Sequence, residues 1–152
     1  MLARYFAYGS NLNADRVRQR GLAVTARRAA LLPNHNLVFD KIAAGLPGAG
    51  HANILWAPGY RVEGALYDLE SDAEILKMDP YEHAPVNYTR EAVAVEVGSE
   101  RIWAWTYYAN AARRAPGLRP PRAYLDHLLA GSDLLSPGYV AQLEAVTCLE
   151  QT

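Results

Sequence analysis

Apolar and polar residues alternate through the first two thirds of the chain with the period of a β-strand. The pattern predicts strands at RYFAY, VTARRAALL, HNLVFDK, NILW, RVEGALYDL, YTREAVAVEV and RIWAWTYYA. Turn residues lie between several of these segments. Pro58 and Gly59 predict a hairpin between NILW and RVEGALYDL, and Gly98 with Ser99 predicts a second hairpin. The glycine- and proline-rich segment 43–52 predicts a loop.

Helical patterns are fewer, and two of the four lie at the C-terminal end. Asn13 predicts a cap for a short helix, ADRVRQR, which Gly21 ends. The capping box Ser71–Glu74 predicts a helix through EILKM that stops at Pro80. RPPRAYLDHLLAG and SPGYVAQLEAV predict two closing helices, the second with Ser136 as its cap and Pro137 as its first residue. Five to seven strands in 152 residues, with these helices, predict an α+β fold: a small mixed β-barrel with flanking helices, as a single domain over 1–152.

Composition and charge narrow the classes of partner. The chain is 51% hydrophobic and 20% charged, with a net charge of -1, so nothing favours nucleic acid or an acidic membrane as partner. We find neither a signal peptide nor an apolar run of the roughly 20 residues that span a bilayer. The single cysteine, Cys148, excludes an intrachain disulfide and is consistent with a reducing compartment. These features predict a cytoplasmic protein.

Three common site chemistries are not supported by the residues. The glycines of 45–52 have the spacing of a phosphate-binding loop, but His51 and Ala52 replace its lysine and Ser/Thr. Ser10 lies outside a Gly-x-Ser-x-Gly motif. The chain has one cysteine and four dispersed histidines, His35, His51, His83 and His127, and none of them shows metal-ligand spacing. We therefore expect no metal site.

The segment YFAYGSNL, residues 5–12, changes abruptly from a buried strand to turn residues. A strand that ends in Gly9, Ser10 and Asn11 and passes into a helix presents backbone N–H groups to one side. Such a group of donors suits a carboxylate or a developing oxyanion. An ordinary capped turn is the alternative interpretation of these residues alone.

A second informative segment is KMDPYEHAPVNYTRE, residues 77–91. Glu82 lies between Tyr81 and His83, directly after a predicted helix end, and Tyr88 is nearby. A carboxylate among aromatic rings loses solvation, which raises its pKa toward the range useful for acid–base catalysis. A solvated loop carboxylate is the alternative here.

Together the two segments resemble the gamma-glutamylcyclotransferase-like family. YFAYGSNL is similar to the family's Y-G-S-N-L signature, and VEGALYDLESDAEILKMDPYE to its G-x-x-Y-x-L, helix and L-D-x-x-E pattern. On that pattern Glu82 corresponds to the catalytic glutamate and Asp79 to the preceding aspartate. PPRAYLDHLLAGS resembles the C-terminal helix with its substrate-side tyrosine, Tyr124. The chain departs from the pattern at His83, where the family has glycine, and at Met78, where leucine is usual.

The resemblance implies a cofactor-free gamma-glutamyl cyclotransferase that releases 5-oxoproline from a small gamma-glutamyl compound. It implies Glu82 as general acid–base, with substrate-binding residues Tyr8, Gly9, Ser10, Asn11, Leu12, Tyr88 and Tyr124. The backbone N–H groups of residues 9–12 would then hold the anionic end of the substrate. It leaves open the leaving group, which is an amino acid, an amine, glutathione or another metabolite, and whether the protein forms a homodimer. The alternative is a catalytically silent module that binds a small carboxylate, which is favoured if His83 and Pro85 displace Glu82. A different acyl-group hydrolase lacks a nucleophile in this sequence.

Overall fold

Five strands form a closed barrel in the computed structural model, which describes residues 2–150. They are β1 (Arg4–Ala7), β2 (Val24–Ile42), β3 (Gly50–Leu69), β4 (Tyr88–Val97) and β5 (Glu100–Ala109). Their order around the barrel is β1-β3-β2-β4-β5. The β1–β5 pair is parallel and the other pairs are antiparallel, so the predicted mixed barrel is confirmed.

Three α-helices and four short 3₁₀ segments flank the barrel within the described residues. The helices are α1 (Ala14–Gln19), α2 (Arg122–Leu129) and α3 (Pro137–Glu144). The 3₁₀ segments are Ser10–Leu12, Asp72–Lys77, Ala111–Arg113 and Ser132–Leu134. None of the helices in this part of the chain is long and apolar enough to cross a membrane.

The helix ends follow the capping chemistry expected from the sequence. The Asn13 side chain accepts a hydrogen bond from the Asp15 N–H at 3.1 Å, which begins α1. Ser136 caps α3 in the same way by accepting from the Tyr139 N–H at 3.3 Å. Each cap satisfies a backbone donor that the helix itself leaves without a partner.

The hairpin predicted at Pro58 and Gly59 is wrong, because two pairs of predicted strands are continuous. VTARRAALL and HNLVFDK together form β2, and NILW and RVEGALYDL together form β3. β2 and β3 pair with each other along nearly their whole length, and the register shifts near Asn34. Asn34 adopts φ 59 and its side chain accepts a hydrogen bond from the Gly59 N–H at 3.1 Å. Residues 57–60, which include the turn residues, therefore lie opposite Asn34 as an irregularity within the paired strands. The predicted loop 43–52 is shortened because β3 begins at Gly50.

The capping box predicted at Ser71–Glu74 also differs in the structure. Asp72–Lys77 is a 3₁₀ helix, and the Ser71 side chain makes no cap hydrogen bond. The Glu74 carboxylate accepts instead from the Ala23 N–H and from the Lys77 ammonium, each at 2.9 Å. Glu74 therefore binds the backbone of the residue before β2 instead of the N–H group at the start of its own helix, which a capping box requires.

Apolar packing fixes the position of the segment that follows β1. Leu12 is fully buried, and so are Val17 of α1 and Leu125 and Leu128 of α2, all in one core cluster. Gly131, at the end of α2, approaches so closely that a Cβ there would lie 2.8 Å from the Leu12 carbonyl oxygen. The turn after β1 is therefore held between the barrel and α2.

Candidate active site

Gly9 allows the turn after β1 to approach its neighbours closely. A Cβ on Gly9 would lie 3.2 Å from the Tyr124 hydroxyl oxygen and 3.3 Å from the Ala52 Cβ. Within the turn, the Leu12 N–H donates to the Gly9 carbonyl at 3.0 Å. The prediction that Leu12 contributes an N–H to an anion site is therefore wrong. The predicted anion site is reduced to Gly9, Ser10 and Asn11.

A pocket of about 260 Å³ lies beside this turn. Seven of the eight predicted site residues line it: Tyr8, Gly9, Ser10, Asn11, Glu82, Tyr88 and Tyr124. The eighth, Leu12, is 0% exposed and packs in the core. The structure therefore brings the two sequence segments, which lie about seventy residues apart, to one cavity.

Glu82 occupies the pocket together with Asn11. The Asn11 Nδ2 donates to Glu82 Oε1 at 3.3 Å, and Arg20 Nη1 lies 3.9 Å from the same oxygen. The Glu82 side chain is 16% exposed. His83 and Pro85 therefore do not displace Glu82 from the cavity, although the sequence left this open.

Opposing effects act on the Glu82 carboxyl. Burial raises its pKa above the ordinary glutamate value, while the positive charges of Arg20, Lys41 and Arg16 lower it in part. The negative charge of Asp79 acts in the same direction as burial. The result is a carboxyl group whose pKa is raised, as suits a group that both accepts and returns a proton.

Asn11 connects the turn to the rest of the site. Its side chain is buried, and its Nδ2 also lies 2.9 Å from the Tyr5 hydroxyl and 3.4 Å from Met78 Sδ. Its Oδ1 accepts from Arg20 Nη1 at 3.2 Å. Its backbone carbonyl accepts from the Tyr67 hydroxyl at 2.6 Å. The methionine that stands in the usual place of leucine is thus a polarizable neighbour of this amide.

The turn that carries Glu82 is held by Asp79. The Asp79 carboxylate accepts from Arg90 Nε at 2.9 Å and from the Tyr107 hydroxyl at 2.6 Å. Burial, and then the bond to Asp79, raise the pKa of Tyr107, so the hydroxyl stays protonated and donates. At the other end of the turn, His83 has φ 48, in the left-handed region that favours glycine. This conformation explains why glycine suits the position where this chain has histidine.

Tyrosines form much of the pocket wall, and hydrogen bonds fix their hydroxyls. The Tyr8 hydroxyl donates to the Tyr107 carbonyl at 2.6 Å, and the Tyr88 hydroxyl donates to the Ala52 carbonyl at 2.8 Å. The Tyr124 hydroxyl accepts from the Ala52 N–H at 3.0 Å. Burial raises the pKa of Tyr8, Tyr88 and Tyr124, so these rings remain neutral.

His51 adds a neutral imidazole to the same wall. Its ring stacks on Tyr124 with centroids 4.2 Å apart and planes 6° from parallel. Burial, followed by the charges of Lys41 and Arg16, lowers the pKa of His51 to about 4. The imidazole is therefore uncharged near neutral pH and offers one donor and one acceptor nitrogen.

Sequence reasoning missed the three cations and the histidine of the pocket. Arg16 lies in α1 and Arg20, four residues later, caps its C-terminal end; this spacing indicates a shared helix face. Lys41 and His51 carry no local signal. They meet because they are register partners across β2 and β3. Within residues 2–150 no cluster of three or more His, Cys, Asp or Glu side chains could hold a metal ion.

The arrangement of a Y-G-S-N-L turn and a pocket glutamate on a five-stranded barrel agrees with a comparison of the sequence with protein families. Residues 5–126 match the family described as gamma-glutamyl cyclotransferase, AIG2-like, and the chain belongs to this family. Among curated protein sequences, none matches the chain.

Solved structures share the fold. The uncharacterized human protein loc79017 is 23% identical, with 98% of this chain and 90% of that chain covered and a TM-score of 0.84. A protein named gamma-glutamyl cyclotransferase is 22% identical over the same shares, with a TM-score of 0.82. A yeast gamma-glutamyl cyclotransferase specific to glutathione is 13% identical, with 92% and 93% covered and a TM-score of 0.65.

Proposed function

We propose that this protein is a gamma-glutamyl cyclotransferase that converts a gamma-glutamyl compound into 5-oxoproline and a free amine or amino acid. The observation that carries the proposal is the Glu82 carboxylate in the pocket, 3.3 Å from the Asn11 amide of the turn after β1. Family membership over residues 5–126 supports it. The silent binding module would have Glu82 displaced from the cavity, and its presence there favours the enzyme.

The reaction is intramolecular, so the residues needed are few. The substrate's α-amino nitrogen attacks the γ-carbonyl carbon, a five-membered ring closes, and the bond from that carbon to the leaving nitrogen breaks. Because nucleophile and electrophile belong to one molecule, binding in the correct conformation supplies much of the rate. The reaction therefore needs no nucleophilic side chain and no cofactor.

In this proposal Glu82 transfers protons from the substrate's α-ammonium to the leaving nitrogen. The α-ammonium loses two protons on the way to the lactam N–H, and the leaving nitrogen gains two on the way to a free ammonium. A single ionised carboxylate can accept each proton in turn and pass it to the leaving nitrogen, which leaves Glu82 unchanged at the end. The raised pKa of Glu82 makes both directions of transfer accessible.

The turn after β1 is placed to meet negative charge on the substrate. Gly9, Ser10 and Asn11 line the pocket, and the Arg16 Nε donates to Ser10 Oγ at 3.1 Å. In the proposal this turn binds the α-carboxylate or the developing oxyanion. Tyr88 and Tyr124 form the walls that exclude water from the reacting atoms.

The test measures 5-oxoproline released from a panel of substrates by the purified protein. The panel contains gamma-glutamyl-alanine, gamma-glutamyl-ε-lysine, glutathione and a gamma-glutamyl amine. We expect turnover of at least one of them, and a loss of about 100-fold or more in kcat for Glu82→Gln. Glu91→Gln, at an exposed position of β4, is the matched control and keeps full activity.

Two results would count against the proposal. Absence of 5-oxoproline from every substrate would contradict the activity. Undiminished turnover by Glu82→Gln would contradict the role of Glu82 and leave the activity itself standing.

A further inference from the structure

Lys41 is a buried cation in the pocket that has no anionic partner within residues 2–150. Its residue is 7% exposed, and its Nζ lies 5.6 Å from the centroid of the Tyr88 ring. No hydrogen bond or ion pair joins its ammonium to another side chain in this part of the structure. The adjacent carboxylate, Asp40, is bound by Asn53 and Arg114. Lys41 is therefore left facing the cavity.

The choice of lysine at this position is distinctive within the chain. The sequence has two lysines, Lys41 and Lys77, and uses arginine at its other thirteen basic positions. Lys77 is largely exposed and pairs with Glu74 at 2.9 Å. Lys41 is 7% exposed and lies in the pocket wall, where a positive charge without a partner is unfavourable unless a ligand brings the opposite charge. The ligand of this pocket is thus expected to carry a negative charge at Lys41.

The cations of the pocket form two separate groups. Arg16 belongs to α1 and Arg20 is the residue at its C-terminal cap. Arg16 donates to Ser10 in the turn that the proposed function assigns to the gamma-glutamyl end. Lys41 belongs to β2, and the charges that act on it are those of Glu82 and Arg113. Because only Glu82 opposes these three pocket cations, the cavity suits a substrate with two carboxylates.

We propose that Lys41 is a specificity-determining residue that binds a carboxylate on the leaving group. The carboxylate it accepts is the one on the carbon next to the scissile nitrogen, as in a gamma-glutamyl amino acid. A gamma-glutamyl amine leaves the ammonium unpaired in the complex, so it binds less favourably. This inference rests on the proposed function, because it assigns the second half of the same substrate.

The experiment compares two substrates that differ in this carboxylate alone, gamma-glutamyl-alanine and gamma-glutamyl-ethylamide. For the wild type we expect kcat/KM to favour gamma-glutamyl-alanine by about 10- to 100-fold, as a buried charge-assisted contact provides. Lys41→Met is expected to lose that preference, because turnover of gamma-glutamyl-alanine slows by about 10-fold more than turnover of the ethylamide. Loss of the Lys41 charge also raises the pKa of Glu82, but this effect is common to both substrates and leaves their ratio unchanged. Lys41→Arg is expected to keep the preference in part.

Controls separate specificity from folding. Lys77→Met removes the other lysine, which lies outside the pocket, and is expected to leave both substrates unchanged. Thermal unfolding checks that Lys41→Met is folded, and Lys41→Gln replaces it if it is not. Equal losses for the two substrates, or a wild type without preference, would overturn the assignment, because Lys41 would then act on the gamma-glutamyl end or on the reaction itself.

A binding measurement keeps this inference distinct from the proposed function. If no substrate yields 5-oxoproline, the proposed activity fails, and the dissociation constants of both compounds for the Glu82→Gln protein still test Lys41. A tighter Kd for gamma-glutamyl-alanine that Lys41→Met abolishes supports the carboxylate contact without any turnover. Equal Kd values for the two compounds would overturn it.

Discussion

Glu82 is the residue in which burial and charge oppose each other most directly. Removal from solvent disfavours its ionised form, and Arg20, with Nη1 3.9 Å from Oε1, favours it. Asn11 donates to the same oxygen and holds the carboxylate in one orientation. A general base works best when its pKa lies near the working pH, and burial moves the pKa of Glu82 in that direction while Arg20 opposes the shift.

The first prediction concerns the pH dependence of the reaction. In the proposed mechanism the rate requires ionised Glu82, so kcat/KM is expected to fall as the pH is lowered through the raised pKa of Glu82. Arg20→Gln removes a charge that lowers this pKa, so the midpoint of the acidic limb moves to higher pH. The measurement is 5-oxoproline production against pH for both proteins. Arg18→Gln, on the exposed side of α1, is the control and leaves the midpoint in place; an unmoved midpoint in Arg20→Gln would contradict the coupling.

The second prediction concerns stability at the same residue. Because the folded pKa of Glu82 is raised above its unfolded value, stability falls as the pH rises through that interval, and the penalty is complete above the folded pKa. Glu82→Gln removes the penalty, so we expect a higher free energy of unfolding near neutral pH and a smaller gain in acid. Urea unfolding at several pH values measures this. A gain that is independent of pH would show that a different effect is responsible.

Among the elements, the turn between the 3₁₀ segment Asp72–Lys77 and β4 does most to place the catalytic candidate. Asp79 anchors it through Arg90 and Tyr107, and Glu82 follows three residues later. His83 then takes φ 48, which a side chain with a Cβ adopts only with strain. The turn therefore keeps a backbone conformation that favours glycine, although this chain has histidine at the position.

The third prediction follows from this strained position. We expect His83→Gly to raise the free energy of unfolding by about 1 kcal/mol, because glycine adopts a positive φ without steric conflict. Ala73→Gly, at an exposed position of the preceding 3₁₀ segment without a positive φ, is the control. It is expected to lower the free energy by about 0.5–1 kcal/mol. Chemical unfolding of the wild type and the two variants measures these changes. A lower free energy of unfolding for His83→Gly would contradict the prediction, because the contacts of the imidazole would then stabilise the fold by more than the backbone strain destabilises it.

Local signals predicted elements well where the local residues also decide the outcome. Asn13 and Ser136 cap their helices as expected, and β4 and β5 follow their alternation. The hairpin predicted at Pro58 and Gly59 does not form, because β2 pairs with β3 on both sides of that position. Glu74 failed as a capping residue because the Ala23 N–H lies within reach. In both failures the deciding partner is distant in sequence and becomes a neighbour only in the folded barrel.

The same reason separates the predicted site residues from the missed ones. Glu82 and the turn 9–11 belong to contiguous segments whose residue types suggest chemistry before any fold is known. Lys41 and His51 become site residues through the β2–β3 register, which the sequence pattern does not specify at this position. Leu12 belongs to the same contiguous segment as the turn 9–11, but its side chain packs in the hydrophobic core and does not line the pocket.

At the scale of the whole molecule, closure of the barrel brings the parts of the site together. β1 ends in the turn 9–11, the turn with Glu82 leads into β4, and Tyr124 comes from α2. β1 is also the shortest strand and pairs with β5 at one position, Tyr5 opposite Trp105. The seam between β1 and β5 therefore carries few bonds while it positions the turn on which the proposed anion site depends.

The final prediction tests that seam. The Thr106 side chain is fully buried, and its Oγ1 donates to the Phe6 carbonyl at 2.9 Å, which joins β5 to β1. Thr106→Val keeps the shape and removes the donor, so we expect a loss of about 1–3 kcal/mol in the free energy of unfolding. Thr25→Val is the control, because the Thr25 hydroxyl donates to the Asp68 carbonyl at 3.4 Å in an exposed position.

Hydrogen exchange distinguishes opening of the seam from a uniform loss of stability. If the bond of Thr106 holds β1 in the barrel, Thr106→Val increases exchange first in residues 5–12, while β2 and β3 remain protected through their long mutual pairing. Turnover at moderate temperature then falls before the barrel unfolds, because the turn 9–11 loses its position while Glu82 keeps its own. Uniform exchange across all five strands would mean that β1 and the site unfold together with the barrel as one cooperative unit.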